Sequence, residues 1–216
     1  MIIKAKPFGP KMMLFIWRVL AILFKWRFNK MVLNDVPILQ GHSYILACNH
    51  FSFWDGFWVS HICLNSFYKQ NPQLKTVYIM VLEEQIVKNK WLTRLGCFSV
   101  APGSESLTAS MDYIAEILDE PGNVLLIYPQ GKLESNHVRD IRVQPGITGI
   151  IKRVTGNCQL LWSSNFIDYF ESLKPSVYFN MLDCGSAKDF DYRDFALKIN
   201  DHHKAAMKKQ FRFTKN

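Results

Sequence analysis

Short apolar runs that each give way to a segment of helical period constrain this chain more than anything else in it. Residues 43–48, 75–81, 97–101 and 123–128 are such runs, and helical spacing follows over 53–66, 88–95, 105–119 and 147–154. The segment 105–119 is the plainest helix, with Leu107, Met111, Ile114 and Leu118 on one face and Pro121-Gly122 stopping it. Further strands are predicted at 158–165 and 175–182, with helices at 11–28 and 191–209. This alternation predicts an α/β layered fold whose largely parallel or mixed central sheet is flanked by helices. No Pro/Ser-rich linker interrupts residues 30–190, so 31–216 are expected to form one domain behind an N-terminal amphipathic helix in residues 1–30.

Where the first of these runs ends, chemistry begins. Ser43 to Cys48 is apolar and partly β-branched or aromatic, and Asn49-His50-Phe51-Ser52-Phe53-Trp54-Asp55 follows it. On one continuous helix, a five-residue offset would turn two side chains roughly 140° apart. A strand-to-helix turn at His50 can instead bring His50 and Asp55 together. Neutral imidazole can take a proton from a substrate hydroxyl while the carboxylate fixes its tautomer and stabilises the imidazolium. That is triad logic in which the substrate supplies the nucleophile. With six histidines in the chain, one such spacing arises easily by chance, and His50 could equally be structural, with Asp55 a solvated first-turn acid. A second loop adds weight. The run Asn123 to Tyr128 leads straight into Pro129-Gln130-Gly131-Lys132, which forces a turn. Open α/β sheets bind ligands beyond the carboxyl ends of their strands, so the two loops can converge on one cleft.

Together these segments resemble the glycerolipid acyltransferase family typified by 1-acyl-glycerol-3-phosphate acyltransferases, which carry Asn-His-x-x-x-x-Asp and, later, Phe-Pro-Glu-Gly-Thr-Arg. The second motif stands here as Tyr128-Pro129-Gln130-Gly131-Lys132-Leu133, and a middle Gly-x-apolar-apolar-x-x-Arg block as Gly96 to Pro102. The resemblance spans about Ser43 to Ser164. It implies that His50 and Asp55 activate an acceptor hydroxyl against a fatty acyl thioester carried on coenzyme A or an acyl carrier protein. It also implies that Asn49, Pro129, Gln130, Gly131 and Lys132 contact substrate. The family's two arginines, natural partners of an acceptor phosphate, are replaced by Pro102 and Leu133, and its loop glutamate by Gln130. Lys132, Arg139 and Arg142 offer compensating charge, or are solvated loop cations.

Charge and aromatic content fit a lipid enzyme. The net charge is +8, and Lys4, Lys6, Lys11, Arg18, Lys25, Arg27 and Lys30 all precede the first acid, Asp35. Met12 to Phe24 is apolar but interrupted by Arg18 and bracketed by Lys11 and Lys25, too short for the ~20 apolar residues of a membrane span. No small-residue cleavage site follows it. An interfacial helix on anionic lipid explains this composition better than a core helix does. The basic C-terminal stretch, Lys198 to Lys215, reads either as a second membrane-facing surface or as a solvated chain end. His202-His203 is expected at the surface. No metal and no cofactor are expected, and no nucleic-acid partner. Five scattered cysteines without a Cys-x-x-Cys predict a reducing compartment, with Cys48 and Cys97 as buried small hydrophobes. Trp54, Phe57 and Trp58 border an acyl groove or, more commonly for such residues, the core.

The reading is therefore a lysolipid-like O-acyltransferase held peripherally or monotopically at the cytoplasmic face of a membrane. Its partners are a lipid surface, an acyl thioester donor and a hydroxyl acceptor. One alternative acceptor is a non-phosphate hydroxyl, as of an amino-acid lipid or a polyene pigment. Another reading is an idle lipid-binding scaffold. A His/Asp hydrolase ranks lowest, lacking a Ser or Cys elbow.

Overall fold

The computed structural model describes residues 2–103, 105–170 and 172–210. Among these, β1 (Lys30–Asn34), β2 (Ser43–Cys48), β3 (Val77–Leu82), β4 (Cys97–Val100), β5 (Val124–Ile127), β6 (Cys158–Asp168) and β7 (Ser176–Ser186) form one sheet. Their spatial order is β1-β7-β6-β2-β5-β3-β4. Strands β2 to β6 run in one direction, while β7 lies antiparallel to β6 and β1 parallel to β7. The sheet is thus mixed and mostly parallel. The helices are α1 (Pro10–Arg27), α2 (Asp55–Ile62), α3 (Tyr68–Gln70), α4 (Glu83–Lys88), α5 (Ser106–Leu118), α6 (Gly146–Ile151) and α7 (Tyr192–Lys208).

Strand periodicity divides the core into two layers. Tyr44, Leu46 and Cys48 of β2, with Val124 and Leu126 of β5, pack against Met13, Trp17 and Phe24 of α1 and Trp58, Val59 and Ile62 of α2. The intervening residues Ile45, Ala47, Leu125 and Ile127 face Ile114 of α5, Ile147 and Ile150 of α6, and Phe195 and Ile199 of α7. Every residue of β2 and β5 is buried. These two strands read as unbroken apolar runs because both their faces are covered.

Several boundaries differ from expectation. The edge strand β1 was not predicted; its five residues become a strand by pairing with β7. Helix α2 ends at Ile62 and widens into a π-helical turn over Cys63–Phe67 before α3. The helix predicted at 88–95 is instead α4 followed by a 3₁₀ turn at Lys90–Leu95, the two separated by Asn89 at φ −132, ψ 65. Gly96 closes that turn at φ +89, where a Cβ would lie 2.0 Å from the Val77 carbonyl oxygen. Glycine is required there for β4 to start beside β3. Ahead of α1, Ile3 exchanges hydrogen bonds with Ser99 of β4, so the start of the described chain lies along this strand.

His203 is also not where the sequence put it. It is buried, because α7 lays it against Ser164 of β6 and the Val138 carbonyl. Lys198 and Lys204 of the basic C-terminal stretch pair with Asp194 and Asp140, whereas Arg212 and Lys215 lie outside the described residues.

Candidate active site

Because β2 and β5 are parallel neighbours, the loops that leave their carboxyl ends meet. The loop after β2 is organised around one carboxylate oxygen. Asp55 Oδ2 accepts from His50 Nδ1 at 2.8 Å, from the Phe51 N–H at 2.8 Å and from the Ser52 N–H at 3.0 Å. Asp55 is 1% exposed, and its Oδ1 is buried with no hydrogen-bond partner among the described residues. A carboxylate can only accept, so Nδ1 carries the proton and Nε2 is the basic nitrogen of the ring. The His50 side chain is 25% exposed, enough to be reached by a substrate group.

The loop after β5 grips His50 at three points. The Tyr128 ring stacks on the imidazole, centroids 4.1 Å apart and planes 21° from parallel. Gln130 Oε1 accepts the His50 backbone N–H at 2.7 Å, and the Glu134 N–H donates to the His50 carbonyl at 2.9 Å. Gln130 Nε2 in turn donates to Glu134 Oε2, and Lys132 Nζ lies 3.2 Å from Glu134 Oε1. Burial pushes the Tyr128 hydroxyl well above its ordinary pKa, and the nearby Cys48 and Asp55 add to this. The Gln130 hydrogen bond, with Lys132 and Arg142 near, holds the Glu134 carboxyl below the usual range.

Helix α7 braces the same loop from behind. The Tyr192 hydroxyl donates to the Val143 carbonyl at 2.7 Å, Asn200 bonds both the N–H and the C=O of Ile141, and His203 Nε2 donates to the Val138 carbonyl at 2.9 Å. That last bond fixes the His203 tautomer, leaving Nδ1 to accept from Ser164 Oγ at 3.0 Å when the ring is neutral. Burial lowers the His203 pKa.

The structure brings every residue singled out in the two motifs into one place, with different exposures. Asn49 is buried, its Oδ1 accepting from the Asn165 N–H and its Nδ2 donating to the Asn165 carbonyl, so it ties the turn to β6. Pro129 and Gln130 are buried, whereas Gly131, at φ +72, and Lys132 are exposed. Of the aromatic residues, Trp58 lies in the core against Phe28 and Phe51. Phe53 and Trp54 are 68% and 56% exposed, and with Phe57 they form a cluster of touching rings beside His50 and Asp55 in sequence. Pro102 lies in a groove of about 530 Å³ beyond the carboxyl ends of β3 and β4 that Leu82, Val87, Val100, Glu83, Glu84 and Lys88 also line. Sequence reasoning missed Glu134, Asn165 and the brace from α7. A carboxylate four residues after Gln130 was the one available signal.

The acyltransferase family model matches residues 31–163, more than half of the sequence. This chain belongs to the acyltransferase family. Like other members of it, the acyltransferase described here is an enzyme that transfers acyl groups. Its fold is similar to that of the 1-acyl-sn-glycerophosphate (LPA) acyltransferase PlsC from Thermotoga maritima, with a TM-score of 0.59, 12% sequence identity, and coverage of 93% of this chain and 80% of that one. No curated protein matches the sequence.

Proposed function

We propose that this acyltransferase moves a fatty acyl group from a coenzyme A or acyl-carrier-protein thioester to the hydroxyl of a lysolipid-like acceptor. The observation that carries the reading is the buried Asp55 carboxylate holding His50 Nδ1 at 2.8 Å. Nε2 takes the proton of the acceptor hydroxyl as its oxygen attacks the thioester carbonyl carbon. The tetrahedral intermediate then expels the thiolate, which recovers that proton from the imidazolium, giving an ester and a free thiol. Asp55 stabilises the imidazolium between the two transfers.

A lipid surface as the source of acceptor is supported by α1. Its inner face is packed into the core through Met13, Trp17 and Phe24, while Met12, Phe15, Ile22, Leu23 and Trp26 are exposed among Lys11, Arg18, Lys25 and Arg27. No described helix is long and apolar enough to cross a membrane. An apolar face flanked by cations suits the headgroup boundary of an anionic leaflet, which supports a peripheral or monotopic enzyme at the cytoplasmic face as part of this proposal.

A second reading concerns the acceptor. Pro102 and Leu133 stand where the resemblance expects phosphate-binding arginines, Lys132 is paired with Glu134, and the groove at Pro102 carries Glu83 and Glu84 against one cation, Lys88. Those features favour a non-phosphate hydroxyl. The test is mass spectrometry of products from the purified protein and its His50→Ala form, given long-chain acyl thioesters on both carriers and acceptors with and without phosphate. Ester formed by the parent alone supports the reading, and the better acceptor decides between its two forms. No ester from either protein refutes it.

A further inference from the structure

His50 is held by its backbone as firmly as by its ring, and the residues that hold it are ordered in polarity. Its N–H is a donor, so the Gln130 atom that meets it at 2.7 Å is the oxygen. That fixes the other end of the same amide as a donor, and it faces the Glu134 carboxylate. The Glu134 N–H then closes the circuit on the His50 carbonyl at 2.9 Å. Gln130 is 2% exposed and the Glu134 side chain 17% exposed, so these bonds are largely screened from water. The backbone under Gln130 is immobilised as well, since Gln144 donates its N–H to the Pro129 carbonyl at 2.8 Å and its Nε2 to the Gln130 carbonyl at 3.3 Å.

We infer that Gln130 and Glu134 form a single positioning unit, one amide followed by one carboxylate, that sets the height and tilt of His50 for proton transfer. The inference rests on the acyl-transfer reading for its catalytic part only. While Glu134 is present, position 130 needs an amide, because a carboxylate there would meet the His50 N–H correctly yet face the Glu134 carboxylate across a hydrogen-bond distance. Two carboxylates so placed cannot both remain charged without displacing each other. The displacement would be passed to His50 through its peptide. Exchanging the two side chains keeps every donor opposite an acceptor: a carboxylate at position 130 would accept from the His50 N–H, and an amide at position 134 would donate to that carboxylate. What the unit requires is one amide and one carboxylate. Neither type is needed at a particular position.

The test uses the full chain as parent, Gln130→Glu, Glu134→Gln and the double exchange. Each is assayed with palmitoyl coenzyme A and 1-acyl-glycerol or 1-acyl-glycerol-3-phosphate, and each is melted in parallel. A misplaced base lowers kcat by up to about 100-fold, so Gln130→Glu is expected to lose kcat on that scale with little change in KM for the thioester. Glu134→Gln, which leaves an amide facing an amide and removes the charge that strengthens the bond, is expected to lower kcat and Tm, each by less than Gln130→Glu does. The double exchange should recover most of the kcat lost in Gln130→Glu and most of its Tm. A double variant no better than Gln130→Glu in Tm, or a Gln130→Glu variant as active and stable as the parent, overturns the unit. The melting cycle needs no turnover. If the parent makes no ester, the acyl-transfer reading falls while the Tm values still decide whether the two residues act together. Should Gln130→Glu fail to fold, recovery of soluble, cooperatively melting protein in the double exchange carries the same information.

Discussion

Replacing Asp55 by Asn removes one charge while nearly preserving shape, and the structure says how much the reaction should suffer. For two unit charges about 4 Å apart in an effective dielectric near 20, attraction is about 4 kcal/mol. The 2.8 Å separation of Nδ1 and Oδ2 places the imidazolium and carboxylate in that range. At 1.36 kcal/mol per decade of rate, loss of this term from the transition state lowers kcat by about a thousandfold. Stability should move far less. An Asn oxygen in the place of Oδ2 can still accept from His50, Phe51 and Ser52, and its NH₂ then takes the buried position of Oδ1, where an unsatisfied N–H costs about 1–3 kcal/mol. That cost is offset in part because a buried charge is also removed. The assay is steady-state ester formation by Asp55→Asn beside a thermal melt. A variant that keeps more than a tenth of parental kcat while folding normally would refute the claim that Asp55 stabilises a charged His50.

Three further outcomes are expected. Trp26→Ser, at a side chain 74% exposed, should leave unfolding stability within about 0.5 kcal/mol of parent but reduce cosedimentation with phosphatidylserine vesicles, whereas Trp17→Ala in the buried face should cost about 3–5 kcal/mol in a melt. The lowered pKa of buried His203 means that the unfolded chain binds a proton first as pH drops. The stability held above the unfolded imidazole value of about 6.5 is therefore lost as pH falls through the lower folded value, and His203→Gln should flatten that part of a Tm-against-pH curve. Introducing Pro102→Arg should raise kcat/KM for a phosphate acceptor relative to its non-phosphate counterpart by about 10-fold or more, the worth of one charge-assisted hydrogen bond; an unchanged ratio would show that the Pro102 groove does not meet the acceptor headgroup.

What was legible in the sequence was local. The strand-turn-helix from Ser43 to Ile62 could be read because apolar run, polar turn and helical spacing follow one another within twenty residues. The second loop announced itself through Pro129 and Gly131 at the end of β5. Contacts between distant segments were not legible. Glu134 looks like any loop acid until the parallel pairing of β2 and β5 brings it under His50. Asn165 and Ser164 lie within the strand-like run of β6 and give no hint that one fixes Asn49 and the other meets His203. His203 itself was misread because a charged, amphipathic terminal helix resembles a solvated one, and only the loop it braces explains its burial. The split among the aromatic residues has the same origin, since Trp58 packs on Phe28, the residue that follows α1, while Phe53 and Trp54 precede α2.

The bond between Asn49 and Asn165 joins residues 116 positions apart. Loop closure over such a distance is slow, and contacts of this kind form late in folding. During synthesis the His50 turn therefore leaves the ribosome long before β6 exists to fix it, with β2 and the apolar side of α1 still lacking part of their cover. Chains that end before β6 therefore lack the Asn165 anchor of the His50 turn, however complete their motifs. The acyltransferase should gain activity as the last third of the chain closes over the sheet, which ties its turnover to completed folding.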